Sequence, residues 1–115
     1  KIFNEICGNG ILSNILMYSN VKIRNLHIII RKYSKNIRNS LGEHYDRSEE
    51  TIDIPLNYKS EYQSGELYFK FDDYKYIPNI YNSGDILIHN QHILHGVNKI
   101  TRGVRWVLVI FINHI

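Results

Sequence analysis

His44 and Asp46 stand one residue apart, His95 follows on a later segment, and Arg105 comes ten positions after it. On an extended strand, residues i and i+2 point to the same side, with Cα atoms roughly 7 Å apart. His44 and Asp46 can therefore reach one metal ion together. A second histidine completes a set of two imidazoles and one carboxylate, donors that hold Fe(II) while leaving coordination positions open. A His-x-Asp pair alone is a weak signal in a chain with six histidines, where it also reads as a surface histidine beside an aspartate. Arg105 adds a second observation. It lies in the apolar run from Val104 to Ile112, with no acidic residue near it in sequence. A buried arginine is rare without an anionic partner. A histidine beside such a cation suggests a site for an anionic ligand.

The elements that must position these residues are short strands. Two apolar runs rich in β-branched residues, Ile86 to His89 and Val104 to Ile112, flank a break rich in His, Asn and Gly. This pattern predicts two buried strands with a functional loop between them. Thr101 to Gly103 is expected to reverse the chain, because glycine tolerates positive φ, and so to lay Arg105 beside the strand that carries His95. Upstream, Leu26 to Tyr33 is a strand candidate and Ser34 to Gly42 a loop. Thr51 to Leu56 alternates, with Ile52, Ile54 and Leu56 on one face. Pro55 there signals an N–H that no neighbouring strand needs. Gly65 to Phe71 alternates again, with Leu67, Phe69 and Phe71 expected inward, and a short strand is expected around Tyr76. Apolar positions at Ile2, Phe3, Ile6, Ile11, Leu12, Ile15 and Leu16 predict a helical lead-in over residues 1–20, broken at Gly8 and Gly10. Short strands after a helical start predict a mainly β sandwich or barrel with helical support. Ile52, Ile54, Leu67, Phe69, Ile86, Ile88, Val107 and Val109 are its expected core, buried between two facing sheets. Trp106, opposite Arg105 on its strand, is expected to belong to the core as well.

Composition bounds the rest. The 115 residues suffice for a single domain, 1–115, with a β core over 26–113. The chain opens at Lys1 without a Met, so it is expected to be a piece of a longer product. One cysteine permits no internal disulfide. The net charge of +3 is mild, and the basic residues between Lys22 and Arg38 bracket an apolar run as a solvated edge would. No nucleic-acid partner is expected from them. No apolar run approaches the roughly 18 residues of a membrane span. Oligomeric state and compartment leave no mark.

Order and spacing strengthen the metal reading. His44-Tyr45-Asp46 leads into Arg47 to Asn57, the segment Ser64-Gly65-Glu66-Leu67-Tyr68-Phe69 follows, and Ile88-His89, His95-Gly96, Arg105 and Phe111-Ile112-Asn113 complete the series. This series resembles the 2-oxoglutarate- and Fe(II)-dependent oxygenases, specifically the prolyl and lysyl hydroxylase group. In rhythm it is most similar to the catalytic domain of procollagen lysyl hydroxylases. The resemblance covers residues 26 to 113, and the His-to-Arg interval is its most specific feature. It implies a double-stranded β-helix, or jelly roll, with His44, Asp46 and His95 as iron ligands. It implies further that Arg105 pairs with the far carboxylate of 2-oxoglutarate and that Tyr33 hydrogen-bonds this co-substrate. Dioxygen would be the oxidant and ascorbate an accessory reductant. A protein or peptide substrate, hydroxylated on a lysine or proline side chain, is also implied. Two departures concern loop path. The family's glycine pair is Ser64-Gly65 here, and Asn90, Gln91 and His92 stand where a glycine is common.

Other readings compete. His89, His92 and His95 offer a rival zinc set, although on a helix steps of three residues would fan the rings over about 120°. His89 otherwise reads as a satisfied histidine near a pocket wall, and His92 as an exposed loop residue. Asp53 and Glu66 read as strand residues facing water, with an outer role around a ligand histidine as the alternative. For the whole chain, the alternatives are a non-catalytic jelly-roll binding module and a cupin-like metal protein, which would not need Arg105 in its place.

Overall fold

The structure is a computed structural model that describes residues 23–79 and 84–114. The expected helical lead-in lies outside the described residues. The described residues form nine strands in order: β1 (Ile23–Ser34), β2 (Leu41–His44), β3 (Glu50–Pro55), β4 (Tyr62–Ser64), β5 (Leu67–Phe71), β6 (Tyr74–Tyr76), β7 (Leu87–Asn90), β8 (His95–Val97) and β9 (Ile100–His114). A 3-10 turn, Lys59–Glu61, precedes β4. One sheet has the order β1-β9-β3-β7, with β4 attached to the start of β9, and the other has the order β2-β8-β5-β6. All pairings are antiparallel. This is the jelly roll expected from the sequence. No helix among the described residues is long and apolar enough to cross a membrane.

The long apolar run of β9 follows from its place. It lies between β1 and β3, so neither of its edges is free over most of its length. Side chains alternate across a strand, and both faces of β9 are covered. Leu108, Ile110 and Ile112 join Ile52 and Ile54 of β3 in one cluster. Val107 and Val109 join Tyr33, Leu67, Phe69, Val97 and Ile100 in another, between the sheets. Burying each of these aliphatic side chains stabilises the fold by roughly 1.5–3 kcal/mol.

Several expectations change here. The expected core is two clusters on opposite faces of the larger sheet, with Ile52 and Ile54 on the face away from the smaller sheet. Ile86 is 45 % exposed, because β7 begins one residue later and Ile86 remains in the preceding turn. Phe71 is exposed because it ends β5 at the tip of the β5–β6 hairpin. Trp106 is exposed too, with Lys32 Nζ 5.4 Å from its ring centroid. Thr101 to Gly103 does not reverse the chain. It lies inside β9, where β4 pairs with it, and the chain crosses between sheets at Asn98 and Lys99. β8 pairs with β2 and β5, so His95 and Arg105 are on different sheets.

Gly103 is needed where the chain enters β4 against β9. Its φ is +77°, and a Cβ there would lie 2.2 Å from the Glu61 carbonyl oxygen. That neighbour is backbone and cannot swing aside. Gly103→Ala should therefore destabilise the domain by about 2 kcal/mol, read as a lowered urea midpoint. An unchanged midpoint would mean that the Lys59–Ser64 segment does not lie over Gly103.

Candidate functional site

The pairing of β2 with β8 sets His44 directly opposite His95. Their rings are 4.3 Å apart between centroids. Each ring is oriented by its own chain: His44 Nδ1 donates to the Gly42 carbonyl at 2.7 Å and His95 Nδ1 to the Ile93 carbonyl at 3.0 Å. A hydrogen bond at Nδ1 directs the other ring nitrogen, Nε2, to whatever the ring faces. Both Nε2 atoms face Asp46 Oδ1, each at 3.3 Å. Asp46 is not on a strand; it lies two residues past the end of β2. Its other oxygen, Oδ2, accepts from the Thr51 hydroxyl at 2.6 Å, and the Ser48 hydroxyl donates in turn to Thr51 Oγ1 at 3.0 Å. The three ligand atoms of His44, Asp46 and His95 lie within 4.8 Å of one another, the only such group among the described residues.

This geometry tests the fit to a metal. With Nδ1 as the donor, Nε2 of each neutral ring carries a lone pair. Two lone pairs and a carboxylate oxygen then converge with nothing to donate between them. A divalent cation satisfies all three, and outer hydrogen bonds of the kind seen at both Nδ1 atoms and at Oδ2 are what orient ligands around one.

Charge follows from the same contacts. Burial pushes the Asp46 carboxyl up, but the hydrogen bonds from protonated His95 and from Thr51 and the nearby His95 and His89 outweigh it, holding it at about 2 against a usual 3.8. Burial pushes His95 down, and the Asp46 hydrogen bond, the Ile93 carbonyl and the charges of Asp46 and Asp53 more than reverse this, so it lies above its usual 6.5.

A cavity of about 320 Å³ runs from this cluster between the sheets, past Leu67, Val97 and Val107 to Arg105. Arg105 is 5 % exposed, and its Nη1 is buried without a hydrogen-bond partner. Among the described residues it has no carboxylate partner. Its guanidinium carbon sits 5.3 Å from the ring centroid of Tyr33, its register partner on β1, which is itself buried. Tyr33, Arg105 and the His/Asp cluster thus line one space.

The structure departs from the sequence expectation at Asp53 and places His89, as expected, on the pocket wall. Asp53 does not face water: it is buried and lines the cavity, with Oδ2 3.4 Å from His89 Nε2. His89 is buried against Phe69 and His95, its Nε2 also 3.8 Å from Asp46 Oδ2. The signal available was alternation, which puts Asp53 on the face of Thr51. The rival zinc set does not assemble: the His89 and His95 rings pack 4.5 Å apart between centroids, but His92 is exposed in the turn between the two strands, and the three are not among the groups whose ligand atoms converge.

No protein-family model matches the chain. It is 33 % identical over 101 residues to a procollagen lysyl hydroxylase and glycosyltransferase of Acanthamoeba polyphaga mimivirus, a match over 84 % of this chain and 11 % of that protein. It is 29 % identical over 117 residues to a PKHD-type hydroxylase of Prochlorococcus marinus, covering 95 % of this chain and 52 % of that one. The chain is a relative of the prolyl and lysyl hydroxylases of the 2-oxoglutarate- and Fe(II)-dependent oxygenase family. It spans about half or less of the length of these curated relatives. A prolyl 4-hydroxylase from Pseudomonas putida shares the fold with a TM-score of 0.72 at 13 % identity, over 92 % of this chain and 62 % of that one. Cupin domains are among the other solved structures that share it.

The two shifts give a pH dependence with a definite sign. The contribution of His95 to stability is complete below 6.5 and is lost as pH rises through its raised value. That of Asp46 is complete above 3.8 and is lost as pH falls towards 2. Metal-free protein should therefore lose stability as pH rises above 6.5, and the rise in melting temperature on adding a divalent metal should grow over the same increase in pH. A rise independent of pH would mean that no proton on His95 competes with the metal.

Proposed function

We propose that this chain is an Fe(II)- and 2-oxoglutarate-dependent dioxygenase domain that hydroxylates a C–H bond on a lysine or proline side chain of a protein or peptide. The observation that carries the reading is a pair of features in one cavity. Three converging acceptor atoms stand at one end, and a buried arginine without a protein carboxylate stands at the other. His44, Asp46 and His95 would hold the iron. When bound, iron with 2-oxoglutarate and dioxygen supplies the oxidation of a C–H bond, coupled to loss of carbon dioxide from the keto acid, with ascorbate as an accessory reductant.

The remaining work belongs to the chain. The planar guanidinium of Arg105 suits a bidentate pair with the far carboxylate of the co-substrate better than an ammonium would. The Tyr33 ring holds that guanidinium in place, and the Tyr33 hydroxyl is a donor for the same ligand. Leu67, Val97, Val107 and Val109 keep the space between the two ends apolar and exclude water. A peptide substrate is supported by the surface beside the cluster. Tyr45, between two of the proposed ligands, is exposed and lines a hollow with Phe71, Lys70 and Glu43.

Three variants test the reading through succinate formation from 2-oxoglutarate with Fe(II) and candidate peptides. Asp46→Ala should abolish turnover in a domain that stays folded; retained turnover would assign the metal to another carboxylate. Arg105→Gln should raise KM for 2-oxoglutarate by on the order of ten-fold or more with Fe(II) affinity unchanged, because the lost ion pair acts in binding. An unchanged KM would leave a metal site of another kind, as in a cupin. Tyr45→Ala should raise KM for the peptide and leave that for 2-oxoglutarate alone; an equal effect on both would remove Tyr45 from the substrate surface.

A further inference from the structure

Arg31 has no part in the function argued so far, yet it lines the same cavity as Arg105. It lies on β1 two residues before Tyr33, and so on the same face of the strand. Its register partner is Val107, while Tyr33 is paired with Arg105. Arg31 and Arg105 are therefore diagonal neighbours on one face, about 7–8 Å apart at Cα, within reach of each other's long side chains. Among the described residues, no ion pair joins Arg31 to an acidic group. The acidic residues that line the cavity are engaged elsewhere: Asp46 faces His44 and His95, and Asp53 faces His89. One wall of the cavity thus presents two cations that repel each other. An anion between them removes the repulsion and gains two charge-assisted contacts.

We propose that Arg31 is a second anion-binding residue of this cavity, clamping with Arg105 the far carboxylate of a dicarboxylic keto acid. The inference rests on the co-substrate reading of Arg105 given above. A carboxylate has two oxygens and about four acceptor positions, enough for both guanidinium groups. Arg31 lies one step nearer to the His/Asp cluster along the sheet, so it meets the ligand from the inner side while Arg105 meets it from the outer. The clamp makes the cavity selective for a keto acid that carries a second carboxylate over one of equal length that lacks it.

The test is calorimetric titration of Mn(II)-loaded protein with two probes, 2-oxoglutarate and 2-oxopentanoate, which has the same chain length without the far carboxylate. Arg31→Gln should raise Kd for 2-oxoglutarate by about ten-fold or more and leave Kd for 2-oxopentanoate unchanged. Arg31→Met keeps the stem's packing and should show the same loss, so it decides the matter if the glutamine variant does not fold. Parental affinity for 2-oxoglutarate in these variants, with affinity lost in Arg105→Gln, would overturn the clamp and leave the proposed function standing. Equal losses for both probes would also overturn it, since Arg31 would then act through the fold. No change in the variants of either arginine would remove both readings.

Discussion

Two imidazole nitrogens and a carboxylate oxygen, pressed together at one end of the cavity with His44 partly exposed, are the constraint around which this domain is arranged. Each Nε2 lies 3.3 Å from the same oxygen of Asp46. Lone pairs so placed repel unless a cation lies between them. A proton on His95 meets the need in one way and a divalent metal in another, and the raised pKa of His95 with the lowered pKa of Asp46 records that need. The surrounding backbone is committed to keeping the three atoms close. The β2–β8 pairing fixes the two rings opposite each other, the carbonyls of Gly42 and Ile93 fix their rotation, and Thr51 fixes the carboxylate. Thr51 can do so only because β3 enters the larger sheet between β7 and β9, which carries it across from the end of β2.

A space built for this purpose is a poor core. Thr51, Asp53, His89, His95 and Arg105 all lie buried between or beside the sheets. Each buried polar group costs stability unless it is partnered, and a charge costs more. The other face of the larger sheet offsets this. Ile52, Ile54, Leu108, Ile110 and Ile112 are almost fully buried there, packed with Leu26, Ile28, Leu56 and Ile88. β3 and β9 therefore carry the candidate site on one face and an aliphatic cluster on the other. That division explains why β9 is apolar along most of its length while its inner face begins with an arginine.

The same division decided what the sequence could reveal. Alternation in Thr51 to Leu56 assigned Ile52 and Ile54 to one face and Thr51 and Asp53 to the other, and this is what the strand does. It carried no information on which face looks into the sandwich. An apolar face normally looks inward, so Asp53 was read as facing water, whereas it lies in the cavity. The metal-binding candidates were legible because the chemistry needs particular residue types at particular intervals: His44 and Asp46 one residue apart, and His95 ten before Arg105. The route by which they meet was not. A turn at Thr101 to Gly103 would have brought Arg105 beside His95 along a ladder, but Gly103 has its positive φ where β4 and the turn before it close against β9, not for a reversal. Local sequence marks an unusual backbone angle without saying which distant segment requires it. Ile86 and Phe71 failed for a related reason. Periodicity continues to the end of a strand, while cover from the opposite sheet stops earlier.

Arg105 is best understood through what it does not have. A guanidinium in the interior with a free Nη1 and no acidic neighbour is a burden on the folded state, and an apolar side chain of similar size would suit the packing as well or better. Tyr33 lessens the burden: its ring stacks on the guanidinium, leaving the donor edge open towards the cavity. A protein carboxylate in the same position would lessen it further, and would also neutralise the field of the guanidinium at that end of the space. At an effective dielectric constant of about 20, an anion about 4 Å from the guanidinium gains about 4 kcal/mol of Coulomb energy. That gain is available to a ligand only because no side chain has taken it first. The His/Asp cluster follows the same logic with the sign reversed, holding acceptors together where a cation is wanted. A cavity with unmet demand for a cation at one end and for an anion at the other selects a ligand system with both, and it does so through the very groups that make the empty fold less stable.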